Sequence, residues 1–212
     1  MKSKIEKPQN VYGRELQNSS ILNIKDDEEI DYRNYEDEQY NDVNLYEVEF
    51  ENCKFTNVCI QNGTLEKSRF TDVVFEGCNF SNIEFSNATF IRCEFNNCKL
   101  SGCSFIENSL YNVTFIETNA SYINLSMASI KNVLFKDTCL KNSYFQEIKN
   151  KNIYFENSDL TEAQFYKTSL DGVDLSNSKI EKIGITIEDI KGAIIDQLQV
   201  VDVLYLLGVK LK

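Results

Sequence analysis

Seven cysteines, at positions 53, 59, 78, 93, 98, 103 and 139, carry most of the latent reactivity of this 212-residue chain. A thiolate is both a nucleophile and a soft metal ligand, so the first question is whether the sequence activates any of them. Their spacing argues against it. None belongs to a Cys-x-x-Cys pair, their number is odd, and the chain contains no histidine to serve as base or co-ligand. Neither a zinc site nor a disulfide framework is predicted, and the thiols are expected to be reduced, buried packing residues. No grouping of nucleophile, base, metal ligands or cofactor-binding loop stands out elsewhere. The expectation is a protein that is not an enzyme and uses no cofactor or metal.

Charge offers a different chemistry, that of macromolecular contact. The chain carries 33 acidic and 22 basic residues, a net charge of −11, with a pI near 4.6, which disfavours direct nucleic-acid binding. Residues 43–182 are only mildly acidic, whereas residues 1–42 hold 11 acidic against 6 basic residues. The densest tract, DDEEIDYRNYEDEQYNDVNLYEVEFE at 26–51, makes Asp26, Asp27, Glu28, Glu29, Asp31, Glu36, Asp37, Glu38 and Asp42 candidate partner contacts, with plain solubilisation as the alternative. Lys131, Lys136 and Lys141, with Lys149 and Lys151, are expected to form a positive collar further along. No run of about 18 uncharged apolar residues occurs and the N-terminus lacks an apolar signal core, so a cytoplasmic protein with no membrane association is expected.

What positions these charges is a repeat. From Leu45 to Ile180 almost every multiple of five is Phe, Leu or Ile; only Ala120 and Asn150 depart. Positions five apart on a helix differ by about 140° and share no face, and an odd spacing on a flat strand points to opposite surfaces. The chain must therefore turn within every pentad so that each large side chain again points inward, which is a solenoid. Residues two before each large one are mostly small and read as a second inward position. Residues two after are often Asn (52, 57, 62, 82, 87, 97, 112, 132, 142, 152, 157, 177) or Gly (77, 102, 172), which tolerate left-handed backbone and mark corners. Period alone does not tell a three-sided coil from a four-sided one.

The pattern small, polar, Leu or Phe, polar, any, as in Ser158-Asp159-Leu160-Thr161-Glu162 and Val173-Asp174-Leu175-Ser176-Asn177, resembles the pentapeptide-repeat family over residues 43–182. That resemblance implies an all-β solenoid, a right-handed quadrilateral β-helix with four pentads per coil and about seven coils. At 20 residues per coil, Phe55, Phe75, Phe95, Phe115, Phe135 and Phe155 fall in one ladder ending at Leu175, and Cys78 and Cys98 are stacked neighbours. Ala120 is expected to leave a small void or be covered by its neighbours, and Asn150 to sit at a local bulge or a water-satisfied site.

The ends must cap an open β-edge. Residues 1–42 are read as an N-terminal extension or cap, acidic from 26; Glu28, Arg33 and Glu38 occupy small inward slots and make a regular coil there doubtful. Residues 183–212 are read as a C-terminal cap. Asp196 with Gln199 forms a capping box for an α-helix over about 197–207, terminated by Gly208. Leu198, Val200, Val201, Val203, Leu204, Tyr205 and Leu207 cover more of that helix than one coil can bury, so they are expected to form a homodimer interface. The tail, Ile190-Lys191-Gly192-Ala193 and then Leu206-Leu207-Gly208-Val209, resembles the Qnr-type quinolone-resistance proteins, in particular the loopless Gram-positive variety. The resemblance implies dimerisation through the C-terminal helix, binding to DNA gyrase and topoisomerase IV as a partial DNA mimic, and protection of these enzymes from quinolones. Duplex DNA carries one charge per about 1.7 Å, so a rod of this composition imitates it only in part. The alternative is a structural or scaffold repeat protein with an unrelated partner.

Overall fold

The computed structural model describes residues 5–208 and shows a parallel β-solenoid closed by a short C-terminal helical segment. Strand pairs within the repeat join residues 20 apart, as in Phe75 with Phe95 and Phe115 with Phe135, so each coil holds four pentads. The corners are regular. Every fifth residue from Asp27 to Gly172 has a positive φ, between 49° and 74°. Asn and Gly occupy many of them because the left-handed region costs these residues least. Asn177, expected to be a corner, does not adopt a positive φ.

Both inward positions are filled as their types dictate. The large residues stack in columns: ring centroids are 5.0 Å apart for Phe55 and Phe75, 4.5 Å for Phe75 and Phe95, 4.9 Å for Phe95 and Phe115, 4.7 Å for Phe115 and Phe135, and 5.5 Å for Phe135 and Phe155. Burying each ring contributes about 1.5–3 kcal/mol, offset by chain ordering. The small position has a second duty that the sequence pattern alone does not reveal. Its Sγ or Oγ donates to the carbonyl 23 residues earlier, at 3.5 Å from Cys98 to Phe75, 3.2 Å from Thr118 to Phe95 and 3.0 Å from Thr138 to Phe115. Cys, Ser and Thr recur there because they are small enough to fit and each can donate to a buried carbonyl.

The register continues N-terminally past residue 43. Glu29–Asp31 pairs with Glu49–Glu51, and Tyr35 extends the Phe ladder, stacking 4.7 Å from Phe55. The charged inward slots that cast doubt on a regular coil are accommodated because no coil lies beneath them. Glu28 turns to accept from the Lys25 amide at 2.9 Å and Glu38 from the Ile21 amide at 3.2 Å, which ties down the short 3-10 turn Ile21–Asn23 that plugs this end.

Two other expectations meet corrections. Asn150 makes no bulge: it pairs in register with Ile130. The irregularity lies on its other side, where the strand Lys149–Glu156 ends the sheet and the following coil does not pair with it. Coils below run extended through this corner, whereas Asp171 and Gly172 make a tight turn, and the mismatch opens a cleft of about 710 Å³ reaching Asn150, Val173 and Ile194. Ala120 is fully buried in its column. The C-terminal helix is shorter than 197–207. It comprises Val200–Val203 continued by a 3-10 turn, Leu204–Leu207, because Val200, Val201 and Val203 are poor helix formers. Gly208 ends it at φ 67°, while Val209 of the tail motif lies outside the described residues.

Candidate protein-interaction surfaces

The acidic tract becomes the outer surface of the first two coils, where Asp27, Asp37 and Asp42 stand at corners and Glu29, Asp31 and Glu36 on exposed strand positions. Its members divide by duty. Asp26 accepts from the Tyr46 amide at 2.8 Å and, with Glu28 and Glu38, serves the cap. Asp31 and Asp37 accept side-chain amide bonds from Asn52 and Asn57 at 2.9 and 3.0 Å. Glu29 stacks directly on Glu49 in the ladder, which concentrates negative charge on that face. The structure therefore brings these carboxylates together at one end of the rod.

The lysine collar is partly neutralised. Lys141 lies 3.3 Å from Asp159, which it shares with Lys179 at 3.8 Å. That pairing holds the Lys141 ammonium above its ordinary value. Lys131 sits in register with Lys151, so like charges adjoin there, and Lys136 sits in register with Glu156.

At the opposite end Gln199 closes the solenoid. Its Oε1 accepts from the Asp196 amide at 2.7 Å, and the Asp196 carboxylate accepts from the Leu198 amide at 2.9 Å; the expected capping box is thus only half made, because the Gln199 amide bonds the Asp196 carbonyl and the helix starts one residue after Gln199. Its Nε2 donates to the carbonyls of Leu175 and Ser178, at 2.9 and 2.5 Å, capping groups that no further coil reaches. Val203 and Leu206 pack against the core, with Leu204 half-buried. Leu198, Val200, Val201, Tyr205 and Leu207 are left exposed, Leu198 at 84% and Leu207 at 67%. An apolar patch thus caps one end of the rod.

Sequence reading missed an element: the N-terminal segment is a strap along one corner of the rod. Arg14 donates to the Tyr32 hydroxyl, Gln9 to Asp72 at 3.0 Å, Tyr12 to Glu94, and Asn112 to Glu6 at 3.5 Å, so the segment climbs across successive coils. Beneath it lie buried outward residues, Val74, Glu94 and Thr114, and the bidentate pair of Asp72 with Arg92 at 2.6 and 2.7 Å. Burial and the neighbouring Glu94 carboxylate raise the Tyr12 phenol above its usual range.

Most of the thiols are inert by placement. Five are buried; burial pushes Cys53, Cys93 and Cys103 up to about 12 and Cys78, beside Cys98, higher still. Among the described residues no group of three or more Cys, Asp or Glu side chains could hold a metal ion, and no helix is long and apolar enough to cross a membrane.

Comparison with known proteins bears on the fold. No curated protein matches the sequence. Among solved structures, a trypsin-treated variant of QnrB1, a plasmid-mediated fluoroquinolone resistance protein, is 19% identical with a TM-score of 0.52, over 88% of this chain and 97% of that one. HetL, a pentapeptide repeat protein involved in heterocyst differentiation regulation from the cyanobacterium Nostoc sp. strain PCC 7120, is 12% identical with a TM-score of 0.45, over 81% and 86%. Residues 88–165 match the family model of the pentapeptide repeat region, and residues 68–105 match that of pentapeptide repeats. With the 20-residue coil and its Phe ladders, the two family matches identify residues 68–165 as a pentapeptide-repeat region.

Proposed function

We propose that this protein acts in the cytoplasm as a homodimer that binds DNA gyrase and topoisomerase IV and protects them from quinolones. The observation that carries the reading is the polarity of the rod: acidic coils at one end and an apolar cap at the other. Pairing two caps about a two-fold axis buries Leu198, Val201 and Leu207 and places an acidic tip at each end of a longer rod. Such a rod imitates duplex DNA at its tips and less so near its centre, where the lysines cluster. The solenoid shared with a fluoroquinolone resistance protein supports the same reading.

A supercoiling assay with purified gyrase, with and without ciprofloxacin, tests it. Restored supercoiling in the presence of drug is the expected result. No effect on either gyrase or topoisomerase IV at micromolar protein overturns it and leaves a scaffold with another partner. Reversing charge at Glu36, Asp37 and Asp42 is expected to weaken protection if the acidic tip makes contact.

A further inference from the structure

The strap buries surface that this fold otherwise leaves open. Lys54, Val74, Glu94, Thr114 and Leu134 form one outward column, each in register with the next. Its outer members, Lys54 and Leu134, are half-buried, whereas the three beneath the strap are buried, Val74 at 1%, Glu94 at 5% and Thr114 at 8%. On the strap's side Pro8 and Val11 are buried in turn. Val11 and Val74 lie outside the apolar cluster that fills the solenoid, so the strap is fastened to the outer wall and not to the core.

That fastening is local and releasable. Residues 5–16 form no strand, and the first ladder pair is Gln17 with Arg33. Between strap and ladder runs an exposed turn in which Gly13 has φ 79° and nothing within 4 Å of the place its Cβ would take. On the rod side of that turn Arg14 lies over the Tyr32 ring at 5.1 Å. Undocking residues 5–12 about Gly13 therefore breaks side-chain contacts and the Gln9 amide bond to Asp72 while every ladder bond stays in place.

The groove under the strap is chemically unfinished. Asp72 and Glu76 receive cations from the rod itself, Arg92 at 2.6 Å and Lys54 at 2.8 Å. Glu94 does not. Among the described residues its carboxylate has partners in the strap alone, the Tyr12 hydroxyl and the Lys7 ammonium at 3.7 Å. One coil further on, the buried Thr114 hydroxyl has no hydrogen-bond partner. A buried polar atom left unpaired is costly, so a segment that reaches Thr114 holds this groove better than the strap does.

We propose that the strap is an autoinhibitory cover, and that the groove it vacates takes a basic, extended segment of a partner protein whose contacts the strap imitates. The groove's own charge selects that occupant: Glu94 must be met by a cation or hydroxyl that the rod does not supply, Asp72 accepts a backbone N–H, and Val74 underlies a small apolar side chain. The inference goes beyond the topoisomerase reading and does not depend on it, because it fixes the chemistry of the ligand and not the identity of the partner.

The test uses the full chain and a fluorescein-labelled peptide of residues 5–14, followed by anisotropy. A strap docked about 90% of the time lowers the apparent affinity of a competitor about tenfold. Val11→Ser with Tyr12→Phe loosens the strap without touching the core and is expected to bind the peptide about tenfold or more tighter than wild type. Lys7→Glu, which sets like charge against Glu94, is the second way of loosening it. Hydrogen exchange at residues 7–13 verifies release, with the strands Thr89–Asn96 and Ser109–Ile116 still protected. A peptide carrying Lys7→Glu, or a loosened chain carrying Glu94→Gln, should lose the gain. A loosened chain that binds the peptide no better than wild type overturns the proposal, as does exchange at 7–13 in wild type no faster than in those strands. Self-association of the loosened chain in light scattering, with the peptide displacing it, makes the occupant a second copy's strap and overturns the assignment to a partner.

Discussion

The rings of Phe75 and Phe95 lie one coil apart, with centroids separated by 4.5 Å and planes inclined by 10°. Both are buried, and each also meets the neighbouring column edge-on, Phe75 against Phe80 at 5.7 Å and Phe95 against Phe105 at 6.3 Å. Stability in such a column is a sum over adjacent coils, so a defect at Phe95 uncouples the coils on either side. Phe95→Ala is expected to cost about 3–5 kcal/mol, and Phe95→Asp to unfold the middle of the rod. Urea denaturation followed by circular dichroism measures both, and an unchanged melting temperature for Phe95→Asp would refute the ladder.

Burial divides the thiols into two classes. Cys59 and Cys139 are partly exposed, whereas the other five are buried. Mass spectrometry after brief iodoacetamide treatment at pH 8 should find label at Cys59 and Cys139 only, until denaturant is added. The same placement makes stability fall in alkali. For Cys53, Cys93 and Cys103 the folded value near 12 exceeds the ordinary value of 9. Above pH 9 the unfolded thiols lose protons that the folded ones keep, so the unfolded chain gains. Each thiol contributes fully below pH 9, and its contribution is lost progressively toward pH 12, at up to about 1.4 kcal/mol per pH unit. Cys93→Ser, which keeps a hydroxyl donor for the Phe70 carbonyl, should remove its share of that slope.

The repeat and its ladders are legible because a pentad is local: five residues specify one inward turn, and 20 specify a neighbour. What lies outside that period is not legible. Gln9, Tyr12 and Glu6 contact residues 63, 82 and 106 positions away and follow no period, so nothing in the strap's own sequence announces its docking. The regular coil at 27–42 was obscured by Glu28 and Glu38, whose carboxylates serve the plug and not the core.

The strap makes Asp72 a sensitive position. Asp72 is 2% exposed, bidentate to Arg92 and hydrogen-bonded to the Gln9 amide, whereas Glu49 faces Arg69 at 3.7 Å on an exposed strand. Removing one partner of a buried pair costs about 3–5 kcal/mol, against about 0–1 for an exposed one. Asp72→Ala is therefore expected to lower stability by several kcal/mol and to raise hydrogen exchange at residues 7–13. Glu49→Gln should do neither. Equal effects of the two substitutions would mean that the strap is not held through Asp72.

The C-terminal cap separates folding from association within a few residues. Gln199→Leu removes the side-chain donor to the Leu175 and Ser178 carbonyls; Leu175 keeps the Ser178 amide at 2.9 Å, whereas the Ser178 carbonyl loses its donor, a cost of about 1–3 kcal/mol. That substitution should lower the melting temperature whatever the oligomeric state. Val201 and Leu207 face solvent in the single chain, so Val201→Asp with Leu207→Asp leaves the core untouched. Light scattering after size exclusion should find the double variant monomeric at a melting temperature no higher than that of wild type, because a dimer stabilises by mass action. An undiminished dimer in this variant would move the interface elsewhere on the rod, and the arrangement with acidic tips at both ends would fall with it.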